Sequence, residues 1–130
     1  MHVCYLLITE CNAYELLDGF NILSLLVGAL SHDLGHDGIN NSLHSETQSK
    51  LAIMYNDHSI LENYSAAYLF RILRKKNCTI YSRLNNEDMN KMRSRLIELI
   101  LDTDAKKSFY VNESIHAWNG KETVLSWIIK

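Results

Sequence analysis

Apolar residues recur every three or four positions along most of this 130-residue chain, which is the spacing of one face of an α-helix. The pattern predicts a helix through Leu6 and Leu7. It then predicts a central helix over residues 20–32 that is apolar on nearly every side and should be buried. Gly35 and Gly38 break the pattern and end this helix. Proline is absent and glycine occurs five times, which favours helices over turn-rich β-structure. We expect an all-α fold, a multi-helix bundle.

Two candidate capping boxes lie in the middle of the chain, each with a serine three residues before a glutamine or glutamate. In such a motif the serine oxygen accepts a hydrogen bond from the backbone at the start of a helix, and the longer side chain bonds back. Ser45 with Gln48 predicts a helix that begins near residue 45. Ser59 with Glu62 predicts another, which carries the apolar segment that follows residue 59.

An asparagine pair marks the start of the next helix. Asn85 or Asn86 is a candidate N-cap, and the acidic residues that follow suit the first turn, where the helix dipole favours negative charge. The apolar positions of this helix continue toward Asp104. Beyond it, residues 108–120 predict a loop with a short helix, and residues 122–130 predict a last amphipathic helix.

Composition and charge narrow the class of protein. With a net charge of −2, the chain lacks the excess of basic residues that nucleic-acid binding requires. No apolar run reaches the ~18–20 residues that span a bilayer and no signal peptide is recognisable, so we expect no membrane contact from this segment. The three cysteines have no metal-binding spacing and are typical of a reduced, cytoplasmic chain. Apolar helical pattern reaches both ends, which predicts a segment of a larger α domain.

The polar end of the central helix is the first candidate for chemistry. His32 and His36 are four residues apart and share a face if the helix continues, with Asp33 beside them. Neutral imidazoles and a carboxylate are ligands for divalent transition metals, and a carboxylate can bridge two metals. The alternative is a polar helix end, with His36 near the dipole and Asp33 solvated. The spacing alone leaves both interpretations open.

Further motifs follow the histidines in a fixed order. His32, Asp33, His36, Gly38 and Asn41 satisfy a pattern His-Asp-x-x-His-x-Gly-x-x-Asn, and the segments SKLAIMYNDHSILEN and LILDTDAKKSF come later. This ordered set resembles the catalytic domain of the class I 3′,5′-cyclic nucleotide phosphodiesterases, which are HD-type metal hydrolases. The resemblance covers roughly residues 25–109 and extends more weakly toward both ends.

The resemblance implies a role for each residue of the candidate site. His32 would ligate a tightly held zinc ion, and Asp33 would ligate the same ion and touch a second one, magnesium or manganese. His36 would hydrogen-bond water on the metal, Glu62 would contact the surrounding water network, and Asp104 would lie near the second metal. The implied reaction is hydrolysis of cyclic AMP, cyclic GMP or both to the 5′-monophosphate, in cyclic-nucleotide signal transduction.

Several of these residues also have structural interpretations. Glu62 is the expected capping partner of Ser59, and Asp104 at a helix C-terminus would oppose the helix dipole. Asn41 is a candidate turn residue or helix cap. Three other histidines have no partners at useful spacing and are interpreted as surface or capping residues: His44, His58 and His116.

The chain also departs from the family pattern. The family's His-Asn-x-x-His motif, expected before this segment, and a metal-ligating aspartate expected after it are both absent, and Tyr64 and Ser65 replace paired histidines. Two of the four ligands for the first metal remain, whereas a catalytic zinc takes about three protein ligands. We therefore expect residues 1–130 to be a partial catalytic domain that lacks its N- and C-terminal portions, binds metal weakly and is inactive alone.

Two other functions stay open at this point. One is a different HD-type nucleotide phosphohydrolase, which would share the His-Asp pair without needing the later motifs. The other is a non-catalytic helical module that keeps the fold for binding or regulation. The general acid, the choice between cyclic AMP and cyclic GMP, and homodimerisation of the full-length protein depend on regions outside the chain.

Overall fold

A computed structural model describes residues 2–78 and 80–107, and within these ranges every regular element is a helix. The predicted all-α fold is therefore confirmed. None of the described helices combines the length and the apolar character needed to cross a membrane. The loop and helix predicted for residues 108–120 and 122–130 lie outside the described residues. The helices are α1 His2–Thr9, α2 Gly19–Ser31, α3 Asn41–Glu46, α4 Lys50–Tyr55, α5 Ile60–Leu73 and α6 Asn86–Leu101, with a 3₁₀ turn at Ala13–Glu15.

The core lies where α2, α5 and α6 pack together. Its buried cluster includes Met92 and Leu96, which are apolar positions of α6, and Leu69 on α5. The α2 helix approaches α6 closely through small residues. Ser24 Oγ lies 2.9 Å from Met92 Sδ, and a methyl group on Gly28 would lie 3.4 Å from the Leu99 side chain.

The prediction that α2 is buried on all sides is wrong for the described structure. Its buried residues are small, namely Ser24, Gly28 and Ser31. Leu23 and Leu30 are 40% and 72% exposed. Phe20 and Val27 of α2 also pack against the core, so one face of this helix is buried and another is exposed.

The helix predicted to begin near Ser45 is replaced by two short helices. Asn40 caps α3, since its side-chain oxygen accepts from Leu43 N at 2.9 Å. Ser49 caps α4 in the same way, accepting from Ala52 N at 3.1 Å. Between them Gln48 has a φ of 48°, a left-handed conformation that a continuous α-helix cannot contain. The capping box of Ser45 with Gln48 is therefore wrong.

The α5 and α6 helices run antiparallel. At one end of the pair Ser59 Oγ donates to Asp104 Oδ2 at 2.7 Å. At the other end the Arg93 guanidinium lies 4.2 Å from the centre of the Phe70 ring. The predicted start of α6 is confirmed, because Asn85 Oδ1 accepts from the backbone N–H of the third helical residue at 2.8 Å.

Candidate metal centre

The α2 helix presents His32 and Asp33 where it ends. His32 occupies the C-cap position, and its Nδ1 lies 3.1 Å from the carbonyl oxygen of Ala29. Because a carbonyl can only accept, Nδ1 carries the proton in the neutral ring, and Nε2 has a free lone pair. The Nε2 atom lies 3.0 Å from Asp33 Oδ2. A protonated ring would form an ion pair with this carboxylate, whereas the neutral ring places two candidate metal ligands side by side.

This spacing fits shared coordination of a divalent cation. Zinc–nitrogen and zinc–oxygen bonds of about 2.0–2.2 Å, at angles between right-angled and tetrahedral, separate two ligand atoms by about 2.9–3.4 Å. The His32 and Asp33 side chains are 42% and 67% exposed, so a cation can reach them. Within the described ranges, no group of three or more His, Cys, Asp or Glu side chains could hold a metal. Among the described residues, His32 and Asp33 are therefore candidate ligands without a third potential ligand beside them.

His36 lies on the loop that joins α2 to α3. Its Nδ1 accepts a hydrogen bond from Gly38 N at 2.9 Å, so the neutral ring carries its proton on Nε2 and presents a donor. Gly35 and Gly38 have φ values of 79° and 86°, which glycine adopts without steric cost. A Cβ on Gly35 would also lie 2.9 Å from the Tyr64 ring. The loop thus depends on glycine at residue 35 for two reasons.

Asn41 joins this loop to α5 with both ends of its amide. Its Oδ1 accepts from Leu61 N at 3.0 Å, and its Nδ2 donates to Glu62 Oε2 at 2.9 Å. The α5 helix is therefore capped from another helix, and one carboxylate oxygen of Glu62 is fixed. The predicted capping box of Ser59 with Glu62 is wrong, because Ser59 makes no side-chain cap bond and has a φ of 41°.

Asp104 is buried, at 5% exposure, and accepts hydrogen bonds from two parts of the chain. Its Oδ2 accepts from Ser59 Oγ at 2.7 Å, and its Oδ1 accepts from Lys106 N at 2.9 Å. Since α6 ends at Leu101 and a new helical turn covers residues 105–107, Asp104 lies at an N-terminus rather than at a C-terminus. The expected conflict with a helix dipole is therefore absent, and the side chain caps this turn.

His44 was interpreted from the sequence as a surface or capping residue, and that interpretation is wrong. It is 3% exposed, its Nδ1 lies 2.8 Å from Ser49 Oγ, and its Nε2 lies 3.3 Å from Asp37 Oδ1. Burial raises the pKa of Asp37, but hydrogen bonds from Ile39 N and His44, with the charge of the imidazole, outweigh it and lower that pKa overall. His58, by contrast, is exposed as expected.

The structure thus arranges the five predicted site residues in two groups. The first is the directly adjacent pair His32 and Asp33, with His36 three residues further on the same loop. The second group is at the start of α5, where Asn41 holds Glu62 and Ser59 holds Asp104. Sequence reasoning missed the roles of Asn41, Ser59 and His44. The only available signal was a cluster of short polar side chains between apolar segments.

The family model for 3′,5′-cyclic nucleotide phosphodiesterases matches residues 1–127, and the chain belongs to this family. A cyclic-nucleotide phosphodiesterase of Dictyostelium discoideum is 34% identical over 97% of the chain. A dual cyclic-AMP and cyclic-GMP phosphodiesterase of Plasmodium falciparum is 42% identical over 68% of it. The crystal structure of the phosphodiesterase domain of the RhoPDE fusion protein from Salpingoeca rosetta matches 81% of the chain, with 34% identity and a TM-score of 0.77.

The chain spans a small share of each of these relatives. It covers 17% of the Dictyostelium protein, 8% of the Plasmodium protein and 33% of the choanoflagellate phosphodiesterase domain. The family is metal-dependent in general, which agrees with the chemistry of the His32 and Asp33 donor pair.

Proposed function

We propose that this chain forms part of a catalytic domain that hydrolyses 3′,5′-cyclic nucleotides to 5′-nucleoside monophosphates in cyclic-nucleotide signalling. The observation that carries the proposal is the approach of His32 Nε2 to Asp33 Oδ2, 3.0 Å apart and open to solvent, in a chain that matches this family over residues 1–127. A cyclic phosphodiester is an anion, so a cation between these acceptors suits the substrate.

The resident cofactors in this proposal are two divalent metal ions. His32 and Asp33 would hold a zinc ion, and Asp33 would also contact a magnesium or manganese ion. A divalent cation held there lowers the pKa of a coordinated water and neutralises charge that develops on phosphorus. The hydrogen bond from His32 Nδ1 to the Ala29 carbonyl fixes the ring orientation and raises the basicity of Nε2.

The other site residues orient water and substrate. His36 offers an Nε2–H donor, because Gly38 N occupies its Nδ1, and this donor can bond water or a phosphate oxygen. Glu62 has one oxygen committed to Asn41 and can accept from water with the other. Asp104 has an indirect role. Its hydrogen bond with Ser59 stabilises the start of the helix that carries Glu62, and so fixes the position of Glu62.

We further propose that residues 1–130 complete this site only together with other parts of the parent protein. Two ligands fall short of the roughly three protein ligands that a catalytic zinc takes, and the chain spans 33% of a matched phosphodiesterase domain. The isolated chain should therefore bind zinc weakly and should not turn over cyclic nucleotide. A cytoplasmic location and a homodimer of the full-length protein remain predictions.

A chimera tests the catalytic proposal directly. The matched segment of the Salpingoeca rosetta phosphodiesterase domain is replaced by this sequence, and turnover of cyclic AMP and cyclic GMP is measured with zinc and magnesium. We expect activity that His32→Ala and Asp33→Ala each reduce by more than about 100-fold, since even residues that merely orient metal ligands are worth 10–100-fold. His58→Ala, which removes an exposed histidine, is the matched control. Unchanged turnover in a folded His32→Ala chimera would contradict the proposal.

Calorimetric titration of zinc into the isolated chain tests the incompleteness of the site. Weak binding that His32→Ala abolishes is the expected result. A single tight site would show that residues 1–130 already hold a full set of ligands.

One observation favours a non-catalytic module as the second candidate. Where the family has paired histidines, the Tyr64 ring packs on Gly35 and stacks on Tyr68 with ring centres 5.9 Å apart, and Ser65 is buried. Apolar packing thus replaces polar groups beside the metal loop. A chimera that is folded and binds zinc but has no turnover would support this candidate, and restoring histidines at both positions would then be expected to recover activity.

A further inference from the structure

We infer that a cavity between the C-terminal half of α5, residues 81–82 and the N-terminal half of α6 binds a small organic phosphate, namely a phosphate group joined to a flat apolar body. The cavity has a volume of about 630 Å³, within the range of about 300–1,000 Å³ that is usual for small-molecule sites. We call it the arginine cavity, because Arg71, Arg74 and Arg93 line it.

The charge of the arginine cavity selects an anion. Among the described residues that line it, three are arginines and none is acidic. Within residues 2–78 and 80–107, no ion pair or hydrogen bond engages the side chains of Arg71, Arg74 or Arg93. Three exposed arginines without an ion pair among the described residues thus line one cavity, in a chain whose net charge is −2. Guanidinium groups bind phosphate through paired N–H donors, which makes a phosphate the best-matched anion.

The walls of the arginine cavity suit a flat apolar group. Phe70, Tyr81 and Met89 line it together with the arginines. The Arg93 guanidinium lies over the Phe70 ring, 4.2 Å from its centre. A guanidinium stacked in this way keeps its N–H donors at its edges, so it can bond a phosphate while the neighbouring aromatic surface contacts an apolar ring.

Tyr81 contributes an aromatic wall to the arginine cavity. It is 4% exposed, and its hydroxyl has no hydrogen-bond partner among the described residues. Burial raises the pKa of Tyr81, so the phenol keeps its proton and remains a donor at neutral pH. The hydroxyl oxygen is buried away from the cavity, so a ligand would contact the ring of Tyr81 rather than its hydroxyl.

The arginine cavity lies away from the candidate metal centre. Ser59 and Asp104 mark one end of the antiparallel α5–α6 pair, and Arg93 over Phe70 marks the other. Glu62 and Arg74 are twelve residues apart along α5 and its C-cap, which corresponds to about 18 Å at 1.5 Å per residue. The inference is therefore independent of the proposed hydrolysis.

Calorimetric titration of the full 130-residue chain tests the inference, with a metal chelator present so that the metal centre does not contribute. The probes are adenosine 5′-monophosphate, inorganic phosphate and adenosine, at about 50 mM salt to limit screening. We expect the monophosphate to bind at least about tenfold more tightly than either part alone, since charge-assisted bonds and apolar contact each contribute on that scale.

Substitutions assign the binding to the cavity. Arg71→Gln and Arg93→Gln should each weaken binding of the monophosphate by about tenfold or more, the value of one charged hydrogen bond. Arg83→Gln, which removes the same charge from an exposed residue outside the cavity, should change it by less than about threefold. Arg93→Lys keeps the charge without the planar stacking and should give an intermediate loss. His32→Ala should leave binding unchanged.

Three outcomes would overturn the inference. The first is no detectable binding of the monophosphate at about 1 mM, a concentration that corresponds to a binding free energy of about −4 kcal/mol. The second is an equal loss in Arg83→Gln and Arg93→Gln, which would mean diffuse attraction to basic residues. The third is a loss in His32→Ala alone, which would assign the ligand to the metal centre. Thermal melting of each variant by circular dichroism verifies that the chain remains folded.

Discussion

Asn41 Nδ2 donates to Glu62 Oε2 at 2.9 Å, across 21 residues of the chain. The Oδ1 atom of the same side chain accepts from Leu61 N at 3.0 Å. One amide therefore closes the N-terminus of α5 and holds a carboxylate of the candidate site. It also connects the loop that carries His36 to the helix that carries Glu62.

Replacing Asn41 should destabilise the fold through both contacts. We expect Asn41→Ala to lower the free energy of unfolding by about 1–2 kcal/mol, the value of a lost helix cap. Asn41→Asp keeps the acceptor for Leu61 N but places a second negative charge beside Glu62. The loss of stability in this variant should therefore become smaller at acidic pH, where the carboxylates are protonated. Urea denaturation at neutral and acidic pH measures both. Asn90→Ala, at an exposed α6 position, is the control, and a loss there equal to that of Asn41→Ala would contradict the expectation.

Ser59 combines an unfavourable backbone conformation with a buried hydrogen bond, and two substitutions separate them. Ser59→Ala removes the bond to the Asp104 carboxylate and should cost about 1.5–3 kcal/mol. Ser59→Gly loses the same bond but removes the steric cost of a φ of 41°, about 1–2 kcal/mol for a non-glycine residue. We expect the glycine variant to be the more stable of the two by chemical denaturation. Equal stabilities would mean that the left-handed backbone at residue 59 carries no cost.

Gly35, Gly38 and Gly19 form a graded series for substitution by alanine. At Gly35 the added Cβ meets the Tyr64 ring at 2.9 Å and φ is 79°, whereas at Gly38 φ is 86° with no atom within 4 Å. Gly35→Ala should therefore destabilise most and Gly38→Ala by about 1–2 kcal/mol. Gly19 is the first residue of α2, and an added Cβ there would have no neighbour within 4 Å. Gly19→Ala should therefore leave the stability unchanged or raise it by up to about 1 kcal/mol. Thermal melting gives the order, and a Gly35→Ala variant as stable as Gly38→Ala would exclude the contact with Tyr64.

The contact between Asp37 and His44 should make stability depend on pH in the acid range. The pKa of Asp37 in the folded chain is below its ordinary value of 3.8. Its contribution is therefore present above pH 3.8 and is lost as the pH falls through the lower folded pKa. Asp37→Asn should be less stable than the parent at neutral pH, and the difference should narrow below pH 3.8. Asp57→Asn, at an exposed residue, is the control; a difference that widens in acid would refute the expectation.

Tyr81→Phe should stabilise the ligand-free chain, because it removes a buried hydroxyl that has no partner among the described residues. The expected gain is up to about 1 kcal/mol, part of the cost of an unsatisfied polar group. Burial raises the pKa of Tyr81 above its ordinary value of 10.0. The stability of the folded chain is therefore fully present below pH 10.0 and is lost as the pH rises from there through the higher folded pKa. The phenylalanine variant should lack this alkaline loss. Tyr5→Phe, at an exposed tyrosine, controls for the hydroxyl itself, and a destabilised Tyr81→Phe would point to a hidden partner.

The local sequence pattern predicted correctly that the chain is helical, but it predicted only some of the helix caps correctly. The cap at Asn85 is confirmed because its partner is the backbone three residues later, and nothing else competes for that side chain. Ser59 is the N-cap residue as predicted, but it makes no side-chain capping bond, because its hydroxyl donates to Asp104, 45 residues away. His44 has polar partners within seven residues, but its burial depends on how α3 and α4 fold back on each other. Local spacing carries no information about that arrangement.

The sequence by itself determined the helical content, the family resemblance and the adjacency of His32 and Asp33, because neighbours at a helix end are held together by covalent geometry. Only the tertiary structure decided which atoms Asn41, Ser59 and Asp104 bind, and that three arginines from two helices share one cavity. The physical reason is the range of each interaction. Helical periodicity and the His-Asp pair involve residues a few positions apart, whereas these contacts join residues about 20 to 45 positions apart and exist only once α3, α5 and α6 have packed.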